Sequence, residues 1–578
     1  MRHMNDPRQN DLFDEYERIL SPVAYRRIRD GWPGVFRHAI LDQMPVDVLA
    51  GEFSPDMGAP TKELYSMAGL LLIKEFKDWT TEQAVEAYMF HAEVQYALNL
   101  KPANQSMSER TIERYEKIFI ENDLAAATMA RVTSALVELL DLDVSRQRLD
   151  STHVYSDMAV FGRTRLMGVT IKRFLTQVKR HNRADYDALP EELRSRYAPS
   201  VGRLFGDVAT DRAARRRLRQ QVAEDLHALI EAFAAADSVT GRQTYRALLR
   251  VFEEQCEIVA DAVSVKAHPG GAVMQNPSDL DATRDGHKGP GYQIQIAETC
   301  SPENETQLIT AALPQTAAEG DSGALPAMLD QLEENRLLPE TMYTDTSYGS
   351  DENEQACAER GVDLQAPVAG PAPVEGGDEL NIDDFAVDEE TETVECCPAG
   401  HEPERSEHDS ETGKTRTEMP AEACADCSHR DDCPVRRVRG RWVIDHTPKE
   451  RRLAARRREQ ATDAFREHYR IRAGIESTNS GLKRCTGMGR LRCRGGPRVF
   501  YRTVMKVCGW NVLRAAGTQT MRRLVAERMT RGPLGGILRL LRRIVRRSGR
   551  RWVPLSAYIR HRPPTSHLTV LKQPVRAA

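Results

Sequence analysis

Tyr469 to Lys483 reads YRIRAGIESTNSGLK, and the reading of this stretch decides what the rest of the chain is. As one helix it places Tyr469, Arg472, Glu476 and Lys483 at offsets of 0, 3, 7 and 14, within roughly 60° of one another at 3.6 residues per turn. One face then carries a carboxylate, two cations and a phenol, with Asn479 and Ser480 on or beside it. Gly474 and Gly481 fall on the opposite side, and each costs about 1 kcal/mol against alanine in a helix interior. Two such costs predict that another element approaches closely there. A carboxylate between cations can hold a divalent metal while its neighbours hold phosphates. A solvated helix face laced with ion pairs shows the same spacing.

The pattern Y-x2-R-x3-E-x6-K, complete here as Tyr469, Arg472, Glu476 and Lys483, resembles the signature of the DDE transposases of bacterial insertion sequences. That resemblance implies two further aspartates at strand ends upstream. Residues 143–156, DVSRQRLDSTHVYS, read as a strand ending at Asp150, and Asp150-Ser151-Thr152 resembles the family's first catalytic aspartate. Residues 340–350, ETMYTDTSYGS, read as a second strand ended by Asp345, with Ser350 capping the helix DENEQACAERG that Gly361 closes. Between them, Tyr292, Ile294 and Ile296 alternate with Gln293, Gln295 and Ala297, the period of a strand. A polar turn, SPENE, joins this strand to TQLITAALP, predicting an antiparallel hairpin. Hairpin, helix, strand, helix is the order of a ribonuclease-H-like α/β core. His153, beside the first aspartate, is read as a structural hydrogen-bonder.

The 578 residues carry 81 Lys+Arg against 85 Asp+Glu, a net charge of −4 that by itself argues against a simple polyanion binder. The charges are unevenly placed. From Arg430 to Ala578 there are 38 Lys/Arg against 9 Asp/Glu, interleaved with Tyr469, Phe500, Tyr501 and Trp510, as in a region that faces nucleic acid. No run approaches the roughly 18 apolar residues of a membrane span, and no signal-peptide core follows the first residues, so a cytoplasmic, nucleoid-associated protein with no membrane partner is expected. Eleven cysteines in such a chain read as reduced thiols with one candidate cluster. Cys424-x2-Cys427 has knuckle spacing, and Cys433 with Cys397 could complete a four-thiolate structural zinc site, with His401 and His429 in reserve.

These readings divide the chain as follows. Residues 1–140 form an all-α N-terminal domain, marked by the capping pairs Thr80/Gln83 and Ser106/Glu109, and by resemblance bind the element's ends; a plain helical cap fits as well. Residues 141–169 and 260–361 are the first part of the core. Residues 170–259, charge-mixed with an apolar stripe, are a helical insertion. Residues 362–450 are the Cys-rich insertion. Residues 451–516 complete the core, and 517–578 are a basic, poorly ordered tail.

By resemblance, Asp150, Asp345 and Glu476 bind two Mg2+ ions, for which Mn2+ can substitute. Tyr469, Arg472, Lys483, Arg484 and Arg490 contact DNA. The substrate is double-stranded DNA, both the element's terminal inverted repeats and the target, and synapsis of two ends implies a homodimer. Two other functions use the same residues: a ribonuclease-H-like nuclease without strand transfer, and an inactive DNA-binding relic of a transposase.

Overall fold

The computed structural model describes residues 1–9, 14–102, 105–205, 211–370, 380–388 and 390–530. A mixed sheet at its centre is built from β1 (Arg146–Val154), β2 (Gly289–Thr299), β3 (Ile309–Thr316), β4 (Thr341–Tyr343) and β5 (Asp363–Gln365), ordered β3-β2-β1-β4-β5. A short sixth strand, Thr283–Asp285, pairs with the start of β2. The pairs β1/β2 and β2/β3 are antiparallel, and β1/β4 and β4/β5 are parallel. Both faces of β2 are covered. Tyr292, Ile294 and Ile296 enter the large apolar core, while the buried amides of Gln293 and Gln295 on the other face are satisfied by Gln315, and that of Gln295 also by Asp321. The alternation of residue types marks two buried environments rather than core and solvent.

Helices α1 (Leu64–Phe76), α2 (Leu124–Leu140), α3 (Leu325–Glu334), α4 (Gly474–Thr486) and α5 (Gly496–Ala516) hold this sheet. The apolar α5 is buried because it lies between the sheet and the N-terminal helices: Val504, Val507 and Val512 share one core with Leu71 of α1, Val132 of α2 and Ile294 of β2. Asn511 fixes the junction. Its side-chain amide takes both the N–H of Ile309 (2.9 Å) and the C=O of Ile309 (2.6 Å) on β3, and reaches Thr133 of α2 at 3.2 Å. Buried charges tie the same layers. Lys74 pairs with Glu75 at 3.0 Å and Glu116 at 2.7 Å, and Lys506 of α5 pairs with Asp78 at 2.9 Å. Losing one partner of such a pair leaves an uncompensated buried charge. On the opposite face, Leu325, Met328 and Leu329 of α3 pack on Leu149, Met342 and Leu364.

The capping pair at Thr80/Gln83 forms as read, whereas the helix expected to start at Ser106 is capped by Ser108. A helix already runs from Arg163, before residue 170, and Leu166, Phe174, Leu226 and Leu248 lie in a second apolar cluster that also takes in Met274. The helical insertion ends in a β-hairpin, Cys256–Val259 with Ala262–Val265, not expected from the sequence. The Cys-rich region likewise folds around a four-stranded antiparallel sheet, Arg405–Asp409, Lys414–Met419, Arg441–His446 and Arg436–Val438 in spatial order. Part of the expected tail is a helix, Gln519–Thr530, and residues 531–578 lie outside the described residues. Among the described residues no helix is long and apolar enough to cross a membrane.

Candidate active site

Asp150 does not end its strand. It is the fifth residue of nine in β1, because antiparallel pairing with β2 runs on to Val154↔Tyr292. Parallel pairing with β4 stops at Arg148↔Tyr343, so from Asp150 onward that side of β1 is open to other elements. Asp345 lies two residues past β4, where its side chain caps a short turn by accepting from the N–H of Ser347 at 2.8 Å.

The single helix expected over Tyr469–Lys483 is interrupted. A helix ends at Tyr469, Arg470–Ala473 form a 3-10 turn, and α4 starts at Gly474. The physical reason is Arg148 of β1. Its guanidinium donates to the Ile471 carbonyl at 2.9 Å and pairs with buried Glu298 at 2.6 Å, while Glu298 also accepts from Thr478 of α4 at 2.6 Å. A β-carbon at Gly474 would stand 2.0 Å from Arg148 Nη1, and one at Gly481 would stand 2.6 Å from the Trp510 ring. Both glycines therefore serve the close approaches read from the sequence.

Across the break the three acids meet one side chain. Arg472 Nη2 lies 3.2 Å from Asp150 Oδ1 and 3.8 Å from Asp345 Oδ2, and Nη1 lies 3.4 Å from Glu476 Oε1. One guanidinium thus reaches all three candidate catalytic carboxylates. Asn479, one turn beyond Glu476, donates to Asp150 Oδ2 at 3.1 Å. The side chains are graded in exposure: Asp150 14%, Asp345 35% and Glu476 71%. Burial pushes the Asp150 carboxyl above the usual carboxylate range; Arg472 pulls it back and Asp345 pushes it up again.

Cations and a phenol flank the acids. Half-buried Lys483 on α4 is held below the usual lysine range by burial and by Lys288, with Asp150 opposing. Lys288 Nζ lies 3.2 Å from Ser151 Oγ, next to Asp150. His153 is buried, and burial keeps its ring below the usual histidine range. The Tyr469 hydroxyl donates to the Thr344 carbonyl at 2.8 Å, beside Asp345, and its ring stacks on Phe465. Arg484 and Arg490 are exposed, and the backbone at Arg490 bridges to Tyr155, just past the end of β1. The residues missed by sequence reasoning are Arg148, Glu298 and Thr478. A lone glutamate in the apolar and amide run of β2 was the signal for them.

Among the described residues no group of three or more His, Cys, Asp or Glu side chains is arranged to hold a metal ion. At the acids the Arg472 guanidinium stands among the three carboxylates. Their chemistry, three carboxylates facing one positive group, suits a hard divalent cation. In the Cys-rich region Cys397, Cys424 and Cys433 pack against one small cluster. Burial and then the thiols of Cys433, Cys397 and Cys427 push Cys424 up to about 11.

Residues 396–516 match the family described as transposase DDE domain. The match takes in Cys397, Cys424, Cys427 and Cys433 and the whole stretch from Tyr469 to Lys483, and supports a DDE transposase; Asp150 and Asp345 lie outside it. No curated protein and no solved structure matches the chain.

Proposed function

We propose that the protein is the transposase of a bacterial or archaeal insertion sequence, cutting DNA at the element's ends and joining the freed 3' ends to target DNA. The observation that carries this reading is the convergence of Asp150, Asp345 and Glu476 on the Arg472 guanidinium. The sheet order β3-β2-β1-β4-β5, with β4 and β5 parallel to β1, supports the ribonuclease-H-like core expected from the resemblance. Two Mg2+ ions held by these acids would activate the attacking water or 3'-hydroxyl and stabilise the leaving oxygen.

The chain's own residues set the geometry. Asp150 is fixed on a central strand and by Asn479, and Asp345 is fixed by the Ser347 N–H. Glu476 rides on α4, whose position depends on the Arg148–Glu298–Thr478 contacts. Lys483, Arg484 and Arg490 neutralise the DNA backbone near the acids. Tyr469, anchored through its hydroxyl, offers its ring edge to a terminal nucleotide. The N-terminal helices, sharing a core with the sheet, would hold the element's ends in fixed register with the acids, and two copies would bring two ends together. For the cysteines the reading is a structural zinc site of Cys397, Cys424, Cys427 and Cys433. It is supported by the knuckle spacing and by the N–H of His401, which donates to Cys397 Sγ at 3.4 Å.

A joining assay tests the function, using a duplex with a 3'-hydroxyl taken from the inverted repeats that flank the coding region. Metal-dependent joining is expected. Cutting without joining would point to a nuclease, and metal-independent binding alone to a relic.

A further inference from the structure

Side chains alternate along a strand, so beyond Asp150 the side chains of Ser151 and His153 share the other face of β1, and Tyr155, one residue past the strand, continues that row. His153 is buried, but Tyr155 is 40% exposed, the most exposed tyrosine among the described residues. This is not a frayed end. The Tyr155 N–H donates to the Gly489 carbonyl at 3.1 Å, its carbonyl accepts from the Leu491 N–H at 2.8 Å, and its hydroxyl donates to the Lys288 carbonyl at 2.9 Å. The His153 ring closes one side of it edge-on, with ring centres 4.5 Å apart. Burial, with Lys288 and Lys483 acting the same way, holds that imidazole below the usual histidine range, so the support behind the phenol is uncharged near neutral pH.

Cations stand around the fixed ring. Lys288 reaches along the same row to place Nζ 3.2 Å from Ser151 Oγ. Exposed Arg490 lies across the backbone bridge from Tyr155. The stem of Lys483 packs on Gly489, where a β-carbon would stand 3.7 Å from it. We infer that Tyr155 is a stacking platform for an unpaired nucleobase, with Lys288 and Arg490 neutralising the phosphates on either side of that nucleotide. A ring held rigidly at the surface loses little freedom when a base stacks on it, and every base offers a π-face. A base inside a duplex has both faces covered by its neighbours, so the platform selects single-stranded nucleotides. At about 3.3 Å per residue it lies about 17 Å along β1 from Asp150, and so takes a nucleotide some way from the one at the acids. The inference rests on DNA being the substrate and adds that part of the bound DNA is unpaired.

Fluorescence anisotropy of the full chain tests it, with a labelled strand of about 20 thymidine nucleotides and one of equal length made of abasic deoxyribose phosphate. The natural chain is expected to bind the thymidine strand about tenfold or more tightly than the abasic one. Tyr155→Ala should lose most of that preference and Tyr155→Trp should keep it. Tyr155→Leu, which retains apolar packing on His153, should lose it as Tyr155→Ala does, so the test does not hang on one variant folding. Neither loss removes a charge, so the slope of log affinity against log salt should match that of the natural chain, whereas Lys288→Ala should lower it by about 0.7. A slope lowered as much in Tyr155→Leu as in Lys288→Ala would overturn the platform, because the tyrosine would then act only by placing the lysine. Equal binding of the two strands by the natural chain, or an unchanged preference in Tyr155→Leu, would overturn it too. Binding of a duplex with none of the thymidine strand would overturn the platform and leave DNA as the substrate; binding of neither would remove both.

Discussion

Gly474→Ala sets two physical effects against each other, and the structure decides the sign. Gly474 has φ −62°, an ordinary helical value, so alanine fits the backbone there and, at this first position of α4, propensity alone would stabilise the helix by at most about 1 kcal/mol. The added β-carbon, however, would stand 2.0 Å from Arg148 Nη1, 2.7 Å from Cζ and 3.0 Å from Nη2. Arg148 cannot simply retreat. Glu298 Oε2 holds it at 2.9 and 2.6 Å, the Ile471 carbonyl holds Nη1 at 2.9 Å, and Glu298 is fully buried. Overpacking costs about 1–3 kcal/mol, and separating a buried ion pair costs about 3–5 kcal/mol. Partial relaxation, offset by the propensity gain, leaves a net destabilisation of about 2–4 kcal/mol. Urea unfolding of the full chain should show a lower midpoint, and end cleavage should fall because α4 carries Glu476. A midpoint equal to or above that of the natural chain would refute the claim that Arg148 locks α4 onto β1.

Asp150→Asn, Asp345→Asn and Glu476→Gln should each abolish end cleavage while DNA binding in a gel-shift assay survives; retained metal-dependent nicking in any one removes that residue from the site. Lys483→Ala should weaken DNA binding and lower the slope of log affinity against log salt by about one, and an unchanged slope contradicts its phosphate contact. His38 gives a pH dependence. Burial, with Arg37 and Arg528 acting the same way, holds its ring down to about 3. The unfolded chain therefore takes up the proton first, and stability present above about pH 6.5 is lost as the pH falls toward 3. His38→Gln should flatten the decline in melting temperature between pH 7 and 5, and an unaltered decline assigns it to other groups.

The candidate site was legible in part, because residues 469–483 carry chemistry at fixed spacing. Asp150, Asp345 and Glu476 converge, and Gly474 and Gly481 meet Arg148 and Trp510 as their helix cost suggested. Backbone geometry was less legible. Asp-Ser-Thr reads as a strand end, but β1 continues because β2 is long enough to pair through Val154, which is a property of the partner strand. The break at Arg470–Ala473 depends on a contact from Arg148, more than three hundred residues earlier, which no local pattern reports. The sheet in the Cys-rich region was hidden because its strands are short and polar, such as RSEHD and KTRTEM, with few apolar residues to show a period. Of the four cysteines grouped from the sequence, Cys397, Cys424 and Cys433 pack against one small apolar cluster.

The most direct measurement of the shared acid site is cleavage of the polypeptide itself by hydroxyl radicals from Fe2+ bound in place of Mg2+, in the full chain with duplex DNA. Cuts are predicted near Asp150, Asp345 and Glu476 together, all three vanishing in Asp150→Asn. Cuts confined to one of these segments, or cuts near Glu476 that persist unchanged in Asp150→Asn, would contradict a metal held jointly by the three carboxylates.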